Sequence, residues 1–155
     1  MKNTTHIEKL NVDNWLGFKQ IRLESFATDP LAFSPKQVKE AAKYSEETWK
    51  EYMTKREAVV LTAKEGNNIV GLIGSYKESE EIAVIWGTYV NPSYRGRGIG
   101  KMLLQEIINN IEKDKSTQKI KLWVEENHHV AKSLYEQFGF TVVGKDFHLV
   151  MEKLL

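Results

Sequence analysis

The sequence of 155 residues contains no cysteine. That removes disulfides, cysteine nucleophiles and thiolate metal sites together. It is compatible with a cytoplasmic protein, and a cytoplasmic localisation is expected. No stretch of roughly 18 apolar residues occurs, so no membrane span is expected. Met1 to Leu10 alternates polar and apolar residues and lacks the long apolar core of a signal peptide. Neither charge dominates: Lys and Arg number 22, Asp and Glu 21, for a formal net charge of +1. A dedicated nucleic-acid binder usually carries a basic surplus, so the balance argues against nucleic acid as a partner. It leaves room for a local basic pocket. Internal repeats, low-complexity tracts and Pro/Ser-rich linkers are also missing. Residues 1–155 are therefore read as a single domain. The composition, 41% hydrophobic and 28% charged, is that of a globular chain able to bury one core without a metal or disulfide.

Periodicity divides the chain. His6 to Leu10 reads as a short first strand. Val12 to Ala27 reads as a helix, with Trp15, Phe18, Arg22 and Ser25/Phe26 at helical spacing. Asp29-Pro30 ends it, because proline disfavours helical geometry in the preceding residue. Ser34-Pro35-Lys36-Gln37 predicts a helix start with Ser34 as cap and Gln37 completing a capping box. Ser45-Glu46-Glu47 predicts a second start. Strands follow at Ala58 to Lys64, Ile69 to Tyr76 and Ile82 to Val90. A helix begins at Ile99, with Leu103, Leu104, Ile107, Ile108 and Ile111 on one face. Ile120 to Val124 is a strand and Val130 to Phe138 a short helix, with Gly139 at its left-handed C-cap. Thr141 to Val143 and Phe147 to Glu152 are final strands around a hairpin turn at Gly144-Lys145-Asp146. The order β-α-α-β-β-β-α-β-α-β-β predicts an α/β (α+β) domain, a mixed sheet flanked by helices.

Between the strand ending at Val90 and the helix starting at Ile99 lies Arg95-Gly96-Arg97-Gly98-Ile99-Gly100. Glycine lets a ligand approach the backbone closely. The first N–H groups of a helix have no internal partner, and the helix dipole favours anions there. Together these make a phosphate site, with Arg95, Arg97 and Lys101 supplying positive charge. The segment does not fit the Walker loop, G-x-x-x-x-G-K-[ST]. It also fails the dinucleotide fingerprint, since Lys101 or Leu103 falls where the last glycine belongs. A ligand-free glycine connection is the plain alternative.

The pattern that fits is R-x-x-G-x-G, as Arg95-x-x-Gly98-x-Gly100. Downstream, Asn127, Ala131, Tyr135 and Gly139-Phe140 complete N-x-x-x-A-x-x-x-Y-x-x-x-G-F. Both resemble motifs of the GCN5-related N-acetyltransferase (GNAT) superfamily, from about Ala58 onward. The first 57 residues match only in element order. The resemblance implies an acyl-CoA N-acyltransferase-like fold, mostly antiparallel, with acetyl-CoA as co-substrate and no metal. It implies that Arg95, Gly96, Arg97, Gly98, Ile99, Gly100 and Lys101 hold the pyrophosphate. Backbone of Tyr89 and Val90 would bond the pantetheine amides in a cleft where two strands splay. Asn127 and Ala131 would flank the pantetheine arm, and Tyr135 would act as general acid toward the leaving thiolate. Core packing beside Leu134 and Phe138 is the plain reading of Tyr135.

An amine must be neutral to attack a thioester, so something must take its proton. Relatives often carry an acidic residue on the strand that here reads Ala83 to Thr88, and this chain has none there. Glu125 and Glu126 read as solvated, and His128 and His129 as exposed loop residues. Trp86, Trp49 and Phe33 are candidates to line the acceptor site, though apolar aromatics are more often core. The expected partner is a small-molecule or peptide amine acceptor, with no nucleic acid and no membrane; a homodimer is open. The alternatives are a catalytically silent acyl-CoA-binding module and an anion binder using Arg95, Arg97 and Lys101.

Overall fold

The computed structural model describes residues 4–155. Met1 to Asn3, part of the segment read above as no signal peptide, lie outside the described residues. Seven strands form one sheet in the order β1-β2-β3-β4-β5-β7-β6. They are β1 (Thr5–Lys9), β2 (Val59–Glu65), β3 (Asn68–Lys77), β4 (Ile82–Val90), β5 (Lys119–Val124), β6 (Thr141–Lys145) and β7 (Leu149–Leu154). Every neighbouring pair is antiparallel except β4 and β5, which run parallel. The mixed, mostly antiparallel sheet expected from the sequence is therefore present.

The helices are α1 (Trp15–Thr28), α2 (Pro35–Glu40), α3 (Glu46–Thr54), α4 (Ile99–Glu112) and α5 (His129–Gln137). The second start at Ser45 opens its own helix, because the Ser45 hydroxyl accepts from Thr48 N at 3.2 Å. This adds one helix to the expected order. Ser34 behaves differently from expectation. Its side chain makes no capping hydrogen bond. The Gln37 oxygen, which the capping box would have engaged, instead accepts from Arg22 Nη2 at 3.4 Å.

Successive strand residues face opposite sides of a sheet. Leu61 and Ile73 therefore join α4 and α5 in one core, with Leu103, Leu104, Ile107 and Ile120 at or near zero exposure. Val60 and Leu72 join α1 and α3 in a second core with Phe18, Phe26 and Trp49. Burying each such aliphatic side chain contributes about 1.5–3 kcal/mol. Gly139 closes α5 as the sequence predicts, at φ +92°. Phe140 N donates to Tyr135 O at 3.1 Å and Gly139 N to Glu136 O at 3.0 Å, the Schellman pattern. The last hairpin departs from its predicted turn. β6 runs on through Lys145, with a bulge between Val142 and Gly144. The turn is Asp146 to His148, where Asp146 Oδ1 accepts from His148 N at 3.1 Å. An aspartate that bonds the backbone two residues on makes the tighter turn, and the glycine serves the bulge.

Candidate active site

Two irregularities in β4 create the site. The first is a bulge. Leu72 pairs with Tyr89 and Gly74 with Trp86, so Gly87 and Thr88 together oppose Ile73. Gly87 takes φ +73°, a left-handed conformation that other residues adopt with strain. A bulge of this kind re-aims the side chains beside it. The second irregularity is a parting of strands. β4 pairs with β5 only from Ile82 to Val84, against Lys119 to Lys121. Beyond that, β5 stays with β7 out to Val124. A cleft of about 1320 Å³ opens where β4 and β5 separate. The splay that the family resemblance implied is thus present. The freed backbone of β4 lies along this cleft, where an extended ligand can bond it as another strand would.

At one end stands the glycine loop. Gly96 and Gly98 both have left-handed φ, +79° and +81°. A Cβ on either would meet nothing within 4 Å, so the space above them is open. Met102 N donates to Gly98 O, the first bond of α4. The N–H groups of Ile99, Gly100 and Lys101 precede it and have no partner within the helix. The cradle fits a phosphate ester.

The charges are arranged less simply than the sequence suggests. Arg95 donates through Nε to Val90 O at 2.8 Å and pairs with Asp29 at 2.8 Å. It thereby ties the loop to the end of α1 and occupies the Val90 carbonyl. Arg97 stands over the Tyr94 ring at 5.0 Å and pairs with Glu65 at 3.7 Å. Lys101 is exposed on the cleft and forms no ion pair among the described residues.

At the other end is Tyr135, 6% exposed and edge-on to Phe140 at 5.9 Å. Its hydroxyl lies beside the Thr88 side chain, which the bulge presents. Burial pushes the Tyr135 phenol above its ordinary value, and the nearby Thr88 hydroxyl works in the opposite direction. The phenol therefore holds its proton throughout the neutral range. Thr88 went unnoticed in the sequence, because only the bulge makes it a neighbour of a residue on α5. Tyr89, the next residue, is pinned from the far side of the sheet. Its hydroxyl donates to Glu24 Oε2 at 2.7 Å, and burial is the main cause pushing it up to about 12.

Of the predicted residues, the cleft brings together Tyr89, Val90, Arg95, Gly96, Gly98, Ile99, Gly100, Lys101, Ala131 and Tyr135. Arg97 and Asn127 lie outside its lining and are exposed. Trp86 and Phe33 line the cleft, whereas Trp49 is core, packed edge-on to Phe18 at 5.7 Å. His128 caps α5, its Nδ1 accepting from Ala131 N at 3.2 Å. Two further cleft residues carry buried nitrogen atoms without partners: Arg22, through Nη1, and His148, through Nε2. In the sequence Arg22 falls on the helical stripe with Trp15 and Phe18, and His148 in the last strand; neither position marks a cleft residue.

The Acetyltransferase (GNAT) family model matches residues 18–140. The mycothiol acetyltransferase of Corynebacterium efficiens is 32% identical over 102 residues, 63% of this chain and 32% of that protein. The spermine/spermidine N(1)-acetyltransferase of Bacillus subtilis is 30% identical over 86 residues, 54% of this chain and 57% of that one. The chain thus spans about a third and somewhat over half of the lengths of these two relatives. The PaiA N-acetyltransferase of Thermoplasma acidophilum, solved in complex with coenzyme A, superposes with a TM-score of 0.76. It is 24% identical, with 98% of this chain and 99% of that one covered, and it shows a shared fold. The family match runs from Phe18 in α1 to Phe140 beyond α5 and so takes in both walls of the cleft: the chain belongs to the acetyltransferase (GNAT) family.

Proposed function

We propose that this chain, acting as one domain, transfers the acetyl group of acetyl-CoA to an amine by direct attack, with Tyr135 as the general acid. The observation that carries the reading is the buried Tyr135, beside Thr88 in the cleft where β4 and β5 part. A phenol that stays protonated at neutral pH, at the inner end of a cleft whose outer end accepts phosphate, is placed to protonate a departing thiolate. The names of the two relatives agree with acetyl transfer as the reaction.

In this reading the backbone N–H groups of Ile99, Gly100 and Lys101, with the Lys101 ammonium, hold the pyrophosphate. The open φ-positive positions Gly96 and Gly98 let it approach. Main chain of Tyr89 and the N–H of Val90, whose carbonyl Arg95 holds, bond the pantetheine arm, and Ala131 leaves room for it. A backbone N–H of the Val90 strand faces the oxyanion as it develops. Arg97 and Asn127 keep a flanking part. With no acidic side chain on β4 from Ala83 to Thr88, the group assigned to take the amine proton is His148, whose Nε2 is buried in the cleft without a partner.

The test is a thiol-release assay with acetyl-CoA across classes of amine, alongside calorimetric binding of acetyl-CoA. Tyr135→Phe is expected to lower kcat by roughly 10²-fold with little change in acetyl-CoA affinity. His148→Gln should slow turnover at neutral pH and less at high pH, where the amine is already neutral. Unchanged turnover in Tyr135→Phe would remove the acid role. Binding without turnover on any amine would leave the silent acyl-CoA module instead.

A further inference from the structure

Arg22 is a cation in the wrong place for an ordinary core residue. It sits in the middle of α1 at 5% exposure. Its guanidinium is packed among three rings, with Cζ 4.6 Å from the centroid of Phe26, 4.9 Å from Phe33 and 5.1 Å from Trp86. Burial pulls it down to about 10, so it remains charged at neutral pH. Buried charges are normally paired, because desolvation is costly and an opposite charge offsets it. Among the described residues Arg22 has no carboxylate partner. Its one hydrogen bond to another side chain goes from Nη2 to the neutral Gln37 oxygen at 3.4 Å, a long contact. Nη1 has no acceptor, and neither has the Trp86 indole N–H beside it.

The position matters as much as the missing partner. Arg22, Gln37 and Trp86 line both the main cleft and a second cavity of about 480 Å³. The carboxylate lining that second cavity, Glu51, is already paired with Lys55 at 3.0 Å. Asp29, on the Arg22 side of the main cleft, is taken by Arg95. A Cβ on Gly87 would stand 3.0 Å from Arg22 Nη1, so the guanidinium lies against the bulge itself. Gly87 is the residue before Thr88, the neighbour of Tyr135. A group bound at Arg22 would therefore sit within a few bonds of the reacting amine.

Resting on the acetyl-transfer reading, we infer that the acceptor is an amino acid or similar compact amino-carboxylic acid, whose carboxylate is bound by the Arg22 guanidinium at the position Gln37 occupies. The two terminal nitrogens of a guanidinium edge match the two oxygens of a planar carboxylate. Gln37 holds the place of that anion in the free protein and yields to it. A polyamine would bring a third kind of charge-bearing group, a cation, against a buried cation.

The experiment compares the common L-amino acids with their carboxamides and with spermidine as acceptors. It is run beside quenching of tryptophan fluorescence by the same compounds in the presence of coenzyme A. Free acids are expected to exceed their amides in kcat/KM by about 10²-fold. Arg22→Met should bring that ratio near one while acetyl-CoA affinity holds. Arg22→Lys should keep part of the ratio, having the charge but not the fork. Should Arg22→Met fail to fold, Gln37→Glu serves, since it leaves the core intact and supplies Arg22 with an internal carboxylate. That variant should lose the preference for acids. Equal rates for acids and amides, or spermidine as the better acceptor, would overturn the inference and leave acetyl transfer standing. If no amine is acetylated but acids still quench and amides do not, the carboxylate site stands and the transfer reading falls. Absence of acid-selective quenching as well as of turnover sinks both.

Discussion

The two faces of the sheet are built from different materials. The α4–α5 face is packed with leucine, isoleucine and valine, with Tyr135 and Phe140 at its edge. The α1–α3 face holds Phe18, Phe26, Trp49 and Tyr89, with Trp15, Phe33 and Trp86 around them. Among the described residues, the helices of the aliphatic face leave no buried polar atom without a partner. The aromatic face leaves three: Arg22 Nη1, Trp49 Nε1 and Trp86 Nε1. Aliphatic side chains interlock without directional demands, so that face is complete in the free protein. Aromatic rings and a cation leave donors that only another molecule or a shift of neighbours can satisfy. Unfinished hydrogen bonding thus belongs to the face built on α1 and α3, while the finished face carries α4 and the glycine loop at its start.

This contrast can be broken first by cavities. Trp49→Ala is expected to cost about 3–5 kcal/mol and Leu104→Ala about 2–5 kcal/mol, read by urea denaturation. The informative part is what survives at low temperature, where both variants fold. Trp49→Ala should impair acceptor use and spare acetyl-CoA affinity, and Leu104→Ala should do the reverse. A shared pattern in the two variants would mean that the faces are not functionally separate.

A pH series sharpens the chemistry next. kcat/KM should rise as the amine loses its proton, then fall when Tyr135 is ionised. Burial raises the Tyr135 value, so the falling limb should lie above the range of a free tyrosine. It should vanish in Tyr135→Phe, whose remaining rate is roughly 10²-fold lower. A falling limb that persists in that variant belongs to another group.

A smaller effect is expected at the loop. Gly98→Ala forces a side chain onto φ +81° and costs about 1–2 kcal/mol of local strain. Calorimetry should show acetyl-CoA bound about tenfold more weakly with turnover at saturation preserved. At the lower limit, Lys50→Ala removes the exposed pair with Glu46 on α3. It should change stability by only ~0.3–0.5 kcal/mol, and neither face should register it in activity.

How much of this could be read beforehand follows the range of the interactions. The stripe of Leu103, Leu104, Ile107, Ile108 and Ile111 declares α4 by spacing alone, and all five are buried. Gly98 and Gly139 declare a helix start and a helix end, because left-handed backbone is a property of single residues. The first half is harder. α1 carries Leu16 at 54% exposure yet buries Arg22 and Ser25, so hydrophobicity does not report its inner face. Ser34 and Gln37 meet the local rule for a capping box, but Gln37 finds Arg22, fifteen residues away. The hairpin turn slipped by two residues because Asp146 competes with Gly144 as turn-former.

The glycine loop, the Asn127/Ala131/Tyr135 helix and the alternation of strands are written in the sequence itself, since each rests on neighbours within a few residues. The parting of β4 from β5, the approach of Thr88 to Tyr135 and the burial of Arg22 without a carboxylate partner were decided only by tertiary structure. Arg95 reaches back 66 positions to Asp29, and Tyr89 reaches 65 to Glu24. Spacing along the chain carries no record of such distances; the pairing of strands and the packing of α1 against the β4 bulge create them.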